Sequence, residues 1–302
     1  MLFNSIEFAI FFPAVVLIYF LLPHRFRWIL LLAASYYFYA CWKAEYLVLI
    51  VFSTLVDYFA GLRMAACETK KQRTPYLVLS LVSNLGLLFT FKYLDFFGSS
   101  VQALIDQFNI FYEIPIFDLL LPVGISFYTF QTLSYTIEVY KGKQKAERHL
   151  GIFALYVTFF PQLVAGPIER SQTLLPQFHK RMTFSYDRLS SGAKLMIWGL
   201  FKKILIGDGM GVFVDSVYNN PYGHDSVSLL IASICFSFQI YGDFSGYTDI
   251  ARGAARILGF DLMENFRQPY LSKSISEFWQ RWHISLSTWF RDYVYIPMGG
   301  NR

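Results

Sequence analysis

The chain has 302 residues, of which 55% are hydrophobic, 20% aromatic and only 16% charged. Soluble domains carry about 25% charged residues, so this composition excludes an ordinary water-soluble fold and indicates a membrane protein. The formal net charge of +5 gives no reason to expect nucleic acid as a partner, because the bases sit in short loops between apolar runs, where they orient a membrane-spanning chain.

Taken in order, apolar runs long enough to cross a bilayer are expected at 6–22, 26–42, 46–62, 75–97, 119–140, 189–206 and 227–250. A further, irregular one covers 151–168. The first run lacks a basic leader and a small-residue cleavage site, so it reads as a span and not as a signal peptide. Cys41, Cys67 and Cys235 are isolated and suggest neither a disulfide framework nor a zinc site. No two histidines are spaced i, i+3 or i, i+4, and no metal is expected.

Loop charge sets the expected orientation. His24, Arg25 and Arg27 lie between the first two spans. Lys70, Lys71 and Arg73 follow the third, and Lys141, Lys143, Lys145 and Arg148 follow the fifth. Residues 98–118 carry Asp106, Glu113 and Asp118 and no base. The alternation places the N-terminus outside, 64–74 and 141–150 in the cytoplasm, and 98–118 and 207–226 outside.

Between 151 and 168 the rhythm breaks. Pro161, Gly166 and Pro167 interrupt any helix, and Arg170, Lys180, Arg181 and Arg188 follow where a full crossing would put an external loop. A re-entrant segment accounts for both facts. Its freed backbone groups require protein or a watery cavity around them, so Pro161, Gly166 and Pro167 are candidate lining residues of an internal passage. The alternative is an ordinary kinked span followed by an exceptional loop.

Lys194, Lys202 and Lys203 lie within the 189–206 run, and lysine facing lipid is costly, so they are expected to snorkel or to face protein. Gly207-x-Gly209-x-Gly211 has no strand before it and is not a phosphate loop. The run 227–250 ends in Tyr241-Gly242-Asp243-Phe244-Ser245-Gly246-Tyr247-Thr248-Asp249. Asp243 and Asp249 at the end of an apolar run are functional or ion-paired, with Arg252 and Arg256 the nearest candidate partners. Ser245, in no nucleophile elbow, and Tyr247 are candidate lining residues.

The stretch 277–293, Glu-Phe-Trp-Gln-Arg-Trp-His-Ile-Ser-Leu-Ser-Thr-Trp-Phe-Arg-Asp-Tyr, reads as one helix. On it Trp279, Trp282, His283, Leu286, Trp289 and Phe290 share a face. Glu277 precedes Arg281 by four residues, the favourable order for a helical ion pair. An imidazole held in an aromatic wall is kept neutral by desolvation and can accept a proton from an alcohol. The alternative is a core histidine whose nitrogens are simply hydrogen-bonded. Trp279, Trp282, Arg281, Asp292 and Tyr295 are candidate lining residues around it.

Several strings together resemble the membrane-bound O-acyltransferase family, and within it the alginate O-acetyltransferase branch. They are the 277–287 string with Asp292-Tyr293 and Pro297-x-Gly299-Gly300-Asn301-Arg302, Leu121-Pro122-Val123-Gly124-Ile125-Ser126-Phe127, Phe160-Pro161-Gln162-Leu163-Val164-Ala165-Gly166-Pro167-Ile168, and Tyr241 to Tyr247. They follow the family's order and cover essentially the whole chain. The resemblance implies an all-α, polytopic membrane fold, one domain over 1–302, with a central tunnel and a bacterial inner-membrane location. It implies acyl, and specifically acetyl, transfer from a cytoplasmic thioester donor resembling acetyl-CoA, with no tightly bound cofactor, toward an extracytoplasmic polysaccharide or an acyl-relay protein. His283 occupies the position of one of the family's two histidines linked to catalysis. None of His24, His149, His179 or His224 stands in the context of the second, and the family's closing helices have no counterpart here. The chain is therefore expected to be C-terminally truncated and inactive by itself. A scaffold role in a polysaccharide-modifying complex is the alternative, and a transporter a third, though no inverted repeat supports it.

Overall fold

The computed structural model describes residues 1–108, 121–122, 124–164 and 166–300. The expected external positions Glu113 and Asp118, the start of the 119–140 run, and Val123, Ala165, Asn301 and Arg302 lie outside the described residues. Among the described residues the chain is helical throughout, with no strand.

Helix α1 (Ile6–Leu21) begins where the Ser5 side chain accepts from the Phe8 N–H, and α2 (His24–Lys43) follows after Pro23. A short 3₁₀ turn leads into α3 (Leu47–Ala66). In α4 (Lys70–Lys92), Thr69 and Gln72 form a reciprocal capping box that satisfies two otherwise orphan N–H groups. Helix α5 (Leu94–Gln107) occupies much of the stretch expected to be an external loop. The segment His24–Ala66, α4 and the later α12 are each long and apolar enough to cross a membrane.

Helix α6 (Ile125–Tyr140) starts on Gly124, whose φ is +77°. A Cβ there would sit 2.4 Å from the Leu163 carbonyl oxygen, so a side chain is excluded on both counts. That close approach joins α6 to the interrupted segment. As expected, residues 151–168 are not one helix. They form α7 (Leu150–Thr158) and the single turn α8 (Phe160–Leu163), separated at Phe159. Residues 152–163 are all buried in protein. Side chains replace the lost helical bonds: the Phe160 N–H donates to Ser35 Oγ at 3.0 Å, and the Tyr156 carbonyl accepts from Gln131 at 2.6 Å and Gln162 at 2.9 Å. Hydrocarbon could offer none of these partners. A short α9 (Ser171–Phe178) leads out.

The second half is built on a long helical hairpin. Helix α10 (Tyr186–Phe201) runs through a π-helical turn (Lys202–Asp208) into α11 (Gly209–Tyr218), and α12 (Ser226–Leu258) returns beside it. Residues expected to form an external loop after 207 are therefore helical as far as Tyr218. Three pairs of glycines face each other across the hairpin. A Cβ on Gly199 would meet the Gly246 carbonyl at 2.6 Å, one on Gly253 the Gly192 carbonyl at 2.6 Å, and one on Gly242 the Gly207 nitrogen at 2.8 Å. Removing side chains lets the two backbones touch, the usual basis of tight helix association in membranes.

Lys202 and Lys203 of this hairpin face protein, whereas Lys194 is exposed. Lys202 lies 2.6 Å from Asp249, and Lys203 lies 2.6 Å from Asp208 and 2.7 Å from Asp243. Sequence proximity correctly suggested Arg252 as a partner of Asp249 and missed both lysines. Asp243 takes Lys203, and Asp249 takes Lys202 as well as Arg252 at 3.2 Å. The π turn is the physical cause, since its extra residue per turn rotates two consecutive lysines toward α12.

Candidate active site

The stretch expected to be one helix is two. Helix α13 (Ile275–Arg281) stops, His283 takes a left-handed conformation at φ 43°, ψ 55°, and α14 (Ile284–Phe290) starts immediately after it, followed by a π turn (Arg291–Tyr295). A residue other than glycine is uncommon in that region, and this one is held there by its surroundings. The hold comes from Asn265. Its carbonyl accepts from the Ile284 N–H at 3.0 Å, and its side-chain oxygen accepts from the Ser285 N–H at 3.1 Å and Ser285 Oγ at 2.9 Å. The Arg267 N–H donates to the Arg281 carbonyl at 2.9 Å on the other side of the break. Residues 265–267 thus clamp both helix ends around the histidine.

The break also changes which side chains surround the ring. The expected wall of Trp279, Trp282 and Phe290 depended on an unbroken helix. Instead the imidazole lies 4.6 Å from the Phe244 ring, edge-on, 6.2 Å from Phe127 and 6.4 Å from Phe266. Trp282 backs this wall, 5.0 Å from Phe266 and 6.3 Å from Tyr241. Trp279 and Tyr295 are 54% and 50% exposed and line, with Phe290 and Arg291, an outward groove. Tyr295, expected to face His283, is not among its ring neighbours. The predicted contribution of 241–249 holds through Phe244.

His283 lies outside the expected membrane spans. Burial lowers its pKa to about 4, so the ring is neutral at pH 7. Its Nε2 is buried and has no hydrogen-bond partner among the described residues. A neutral imidazole nitrogen without a partner, in a phenylalanine box, can take a proton from a hydroxyl placed against it.

Other predicted residues surround this centre at different depths. Asp243 and Ser245 flank Phe244, with Ser245 buried and Asp243 paired to Lys203. Tyr247 lies one turn beyond, its ring under Lys203 at 5.6 Å and 5.9 Å from Phe3. Arg281 pairs with Glu277, as expected. Pro161, Gly166 and Pro167 are buried in the core around α8. Asp292 is elsewhere, 3.2 Å from Arg170 in a cavity of about 620 Å³ lined by Glu138, Lys141, Lys143 and Tyr293. The cavity adjoins the end of α6 opposite Phe127. Eleven residues of helix separate Phe127 from Glu138, about 16 Å. Trp289 bridges the interval, 4.6 Å from Phe130 and 5.2 Å from Tyr293.

Sequence reasoning missed Asn265, Ser285, Phe127 and Phe266 as site residues. The first three carry no local signal of their own, because the clamp and the box form between segments distant in sequence. Phe266 was visible only as part of an aromatic and charged tract.

Buried Glu169 is a further unexpected group. It accepts from the Met263 N–H at 2.5 Å, and burial raises its pKa to about 7. It thereby ties the end of the interrupted segment to the loop that carries Asn265.

The family model for membrane-bound O-acyltransferases matches residues 149–302. The whole chain is 42% identical over 306 residues to a probable alginate O-acetylase, AlgI, of Azotobacter vinelandii, of which it covers 60%. It is 35% identical over 300 residues to a peptidoglycan O-acetyltransferase of Helicobacter pylori, with 90% of this chain and 56% of that protein aligned. A teichoic acid D-alanyltransferase of Bacillus subtilis is 34% identical over 178 residues, covering 58% of this chain and 45% of that protein. The chain spans about 60% of the length of the first of these curated relatives. Family match, apolar helices and the histidine centre agree: the chain is an integral membrane protein and belongs to the membrane-bound O-acyltransferase family.

Proposed function

We infer that the protein transfers an acyl group, specifically acetyl, from a thioester to a hydroxyl of an extracytoplasmic polysaccharide, with His283 as general base. The observation that carries this reading is the buried, partnerless Nε2 of His283 inside the Phe127, Phe244 and Phe266 box. The acceptor hydroxyl gives its proton to Nε2 as its oxygen attacks the thioester carbonyl carbon. The carbon–sulfur bond then breaks, and the imidazolium returns the proton to the leaving thiolate. The phenylalanine box favours the neutral imidazole at the start of the cycle and excludes water that would compete as acceptor.

The cavity beside Lys141, Lys143 and Arg170 suits the anionic end of a cytoplasmic donor resembling acetyl-CoA. About 16 Å of α6 separates Glu138 in its wall from Phe127 beside the histidine, a span an extended thioester-bearing arm covers. The passage between the two is the proposed tunnel. A bacterial inner membrane is proposed by analogy with the relatives, and an external N-terminus is supported by the basic loop after α6, whose Lys141 and Lys143 line this cavity. The acceptor is a polysaccharide by analogy with the relatives' named substrates, an acyl-relay protein being the intermediate alternative.

Membranes of cells expressing the gene, supplied with radiolabelled acetyl thioester and polysaccharide, test the reading. Transfer is expected with a complete enzyme that carries this sequence as its N-terminal part, and not with these 302 residues alone; its loss in His283→Ala of that enzyme at unchanged abundance supports the general base. A scaffold with no chemistry of its own would leave transfer unchanged in that variant.

A further inference from the structure

At the opposite side of the molecule from His283 in sequence, the turn between α1 and α2 borders two cavities that the acyl-transfer reading does not use. One, of about 210 Å³, is lined by polar and cationic groups including His24, Arg25, Arg27, His149 and His179. The other, of about 560 Å³, is an apolar groove between α1 and α10, with Val16, Leu17, Phe20, Ala193 and Ile197 among its walls. We propose that together they bind one anionic phospholipid, its phosphate in the histidine and arginine cavity and an acyl chain in the groove.

Donor geometry supports the phosphate end. His149 Nδ1 accepts from the Ile152 N–H at 3.2 Å, so a neutral His149 carries its proton on Nε2 and is a donor there. The Nδ1 of His24 is buried and has no partner among the described residues. Arg25 is exposed at the rim, its guanidinium 4.6 Å over the Phe26 ring. Glu147 is taken up by His179 Nε2 at 2.9 Å, and among the described residues no carboxylate forms an ion pair with Arg25 or Arg27. The volume is below the roughly 300–1,000 Å³ of pockets for drug-sized ligands, so it takes a single phosphate group and not a nucleotide.

Arg27 joins the two spaces. Its guanidinium lies 4.8 Å over Tyr19, which lines the cavity, and 5.6 Å over Phe20, which lines the groove. It is fixed by donating to the Leu22, Phe20 and Met182 carbonyls. The groove extends from Phe12 to Leu21 along α1, about 14 Å of helix, close to half of the ~30 Å hydrocarbon core. A charged cavity at the end of a half-bilayer groove matches a phospholipid, whereas a free phosphate would leave the groove without a role.

Native mass spectrometry of the delipidated protein, offered dioleoyl phosphatidylglycerol, dioleoyl phosphatidylcholine or inorganic phosphate, tests the proposal without any enzyme assay. One phosphatidylglycerol is expected to be retained in preference to phosphatidylcholine. Retention should fall at least fivefold in His24→Gln/Arg25→Gln, and also in Ala193→Phe, which fills the groove. Arg25→Gln alone changes an exposed side chain and serves if the double variant does not fold. Equal retention of the two lipids, or retention unchanged in the arginine variants, would overturn the proposal. Displacement by inorganic phosphate with no effect of Ala193→Phe would reduce it to a phosphate site and reject the lipid.

Discussion

Two buried polar centres divide the molecule, and they are built on opposite principles. Asp57 on α3 is wholly buried and fully engaged: it accepts from Ser80 Oγ at 2.6 Å and from the Asn84 amide at 2.9 Å, while Asn84 in turn accepts from Ser53 at 2.6 Å. The donors come from α3 and α4, with Thr136 and Thr132 of α6 touching the same network at 3.1 and 3.4 Å. His283 is surrounded by rings, and its Nε2 has no hydrogen-bond partner among the described residues. A satisfied polar network rigidifies a core, whereas an unsatisfied group in an apolar box keeps its bonding capacity for something that arrives. The first centre holds three helices in register, and the second is the one to which we assign the chemistry.

The largest test of this contrast is His283→Ala. Losing a general base costs typically 10²–10⁴-fold, so transfer per mole of folded protein should fall by at least about 100-fold while the melting temperature changes little. A variant with wild-type turnover and abundance would make His283 a structural residue after all.

Next comes Asp57→Ala, which should act in the reverse manner. Orphaning the Ser80 and Asn84 donors costs about 1–3 kcal/mol for each group left unpaired. Detergent-resistant folded protein should drop several-fold, with transfer per folded molecule retained. If instead abundance holds and turnover vanishes, the two centres are not divided as described.

A smaller effect is expected from Asn265→Ala, which removes the side-chain clamp on Ser285 but leaves the backbone bond to Ile284. Misplacing a reacting group by about 1 Å can cost up to 10²-fold, and one remaining bond should limit the loss to about tenfold in kcat. Ser285→Ala, which keeps its own N–H donor, should lose less. A variant with lower abundance and normal kcat would assign Asn265 to stability alone.

The smallest effect is on pH. Because burial lowers the His283 pKa from its ordinary 6.5 to about 4, the unfolded chain binds the proton more readily between those values. Stability therefore declines as pH falls from about 6.5 toward 4 and is unaffected by this group above 6.5. Melting temperatures of wild type and His283→Ala, close at neutral pH, should separate as pH falls through that window, with wild type dropping more than the variant. Parallel curves would mean the imidazole is solvated in the folded protein.

Much of this protein was readable from its residues. The apolar runs place most of the helices, because backbone groups in a bilayer leave few other options. Pro161, Gly166 and Pro167 correctly marked an interrupted, protein-enclosed segment. Lys202 and Lys203 were correctly expected to avoid lipid, and Glu277 to pair with Arg281. All of these are local consequences of composition, charge and backbone chemistry.

Tertiary structure decided the rest. A 3.6-residue pattern continues through 277–293, yet the helix breaks at His283 because Asn265, twenty residues away in the chain, captures Ser285 and Ile284. Periodicity records which side chains could share a face, and it carries no information about a hydrogen bond from another segment that stabilises a left-handed residue. The same limit hid how the rings of Phe127, Phe244 and Phe266 meet, and it hid the lysine partners of Asp243 and Asp249, although Arg252 was correctly read as a partner of Asp249. The histidine's identity and its aromatic neighbourhood are properties of the sequence. Its orientation, its bare nitrogen and the wall it faces exist only once distant segments meet, because only their contacts offset the backbone strain that aims the ring.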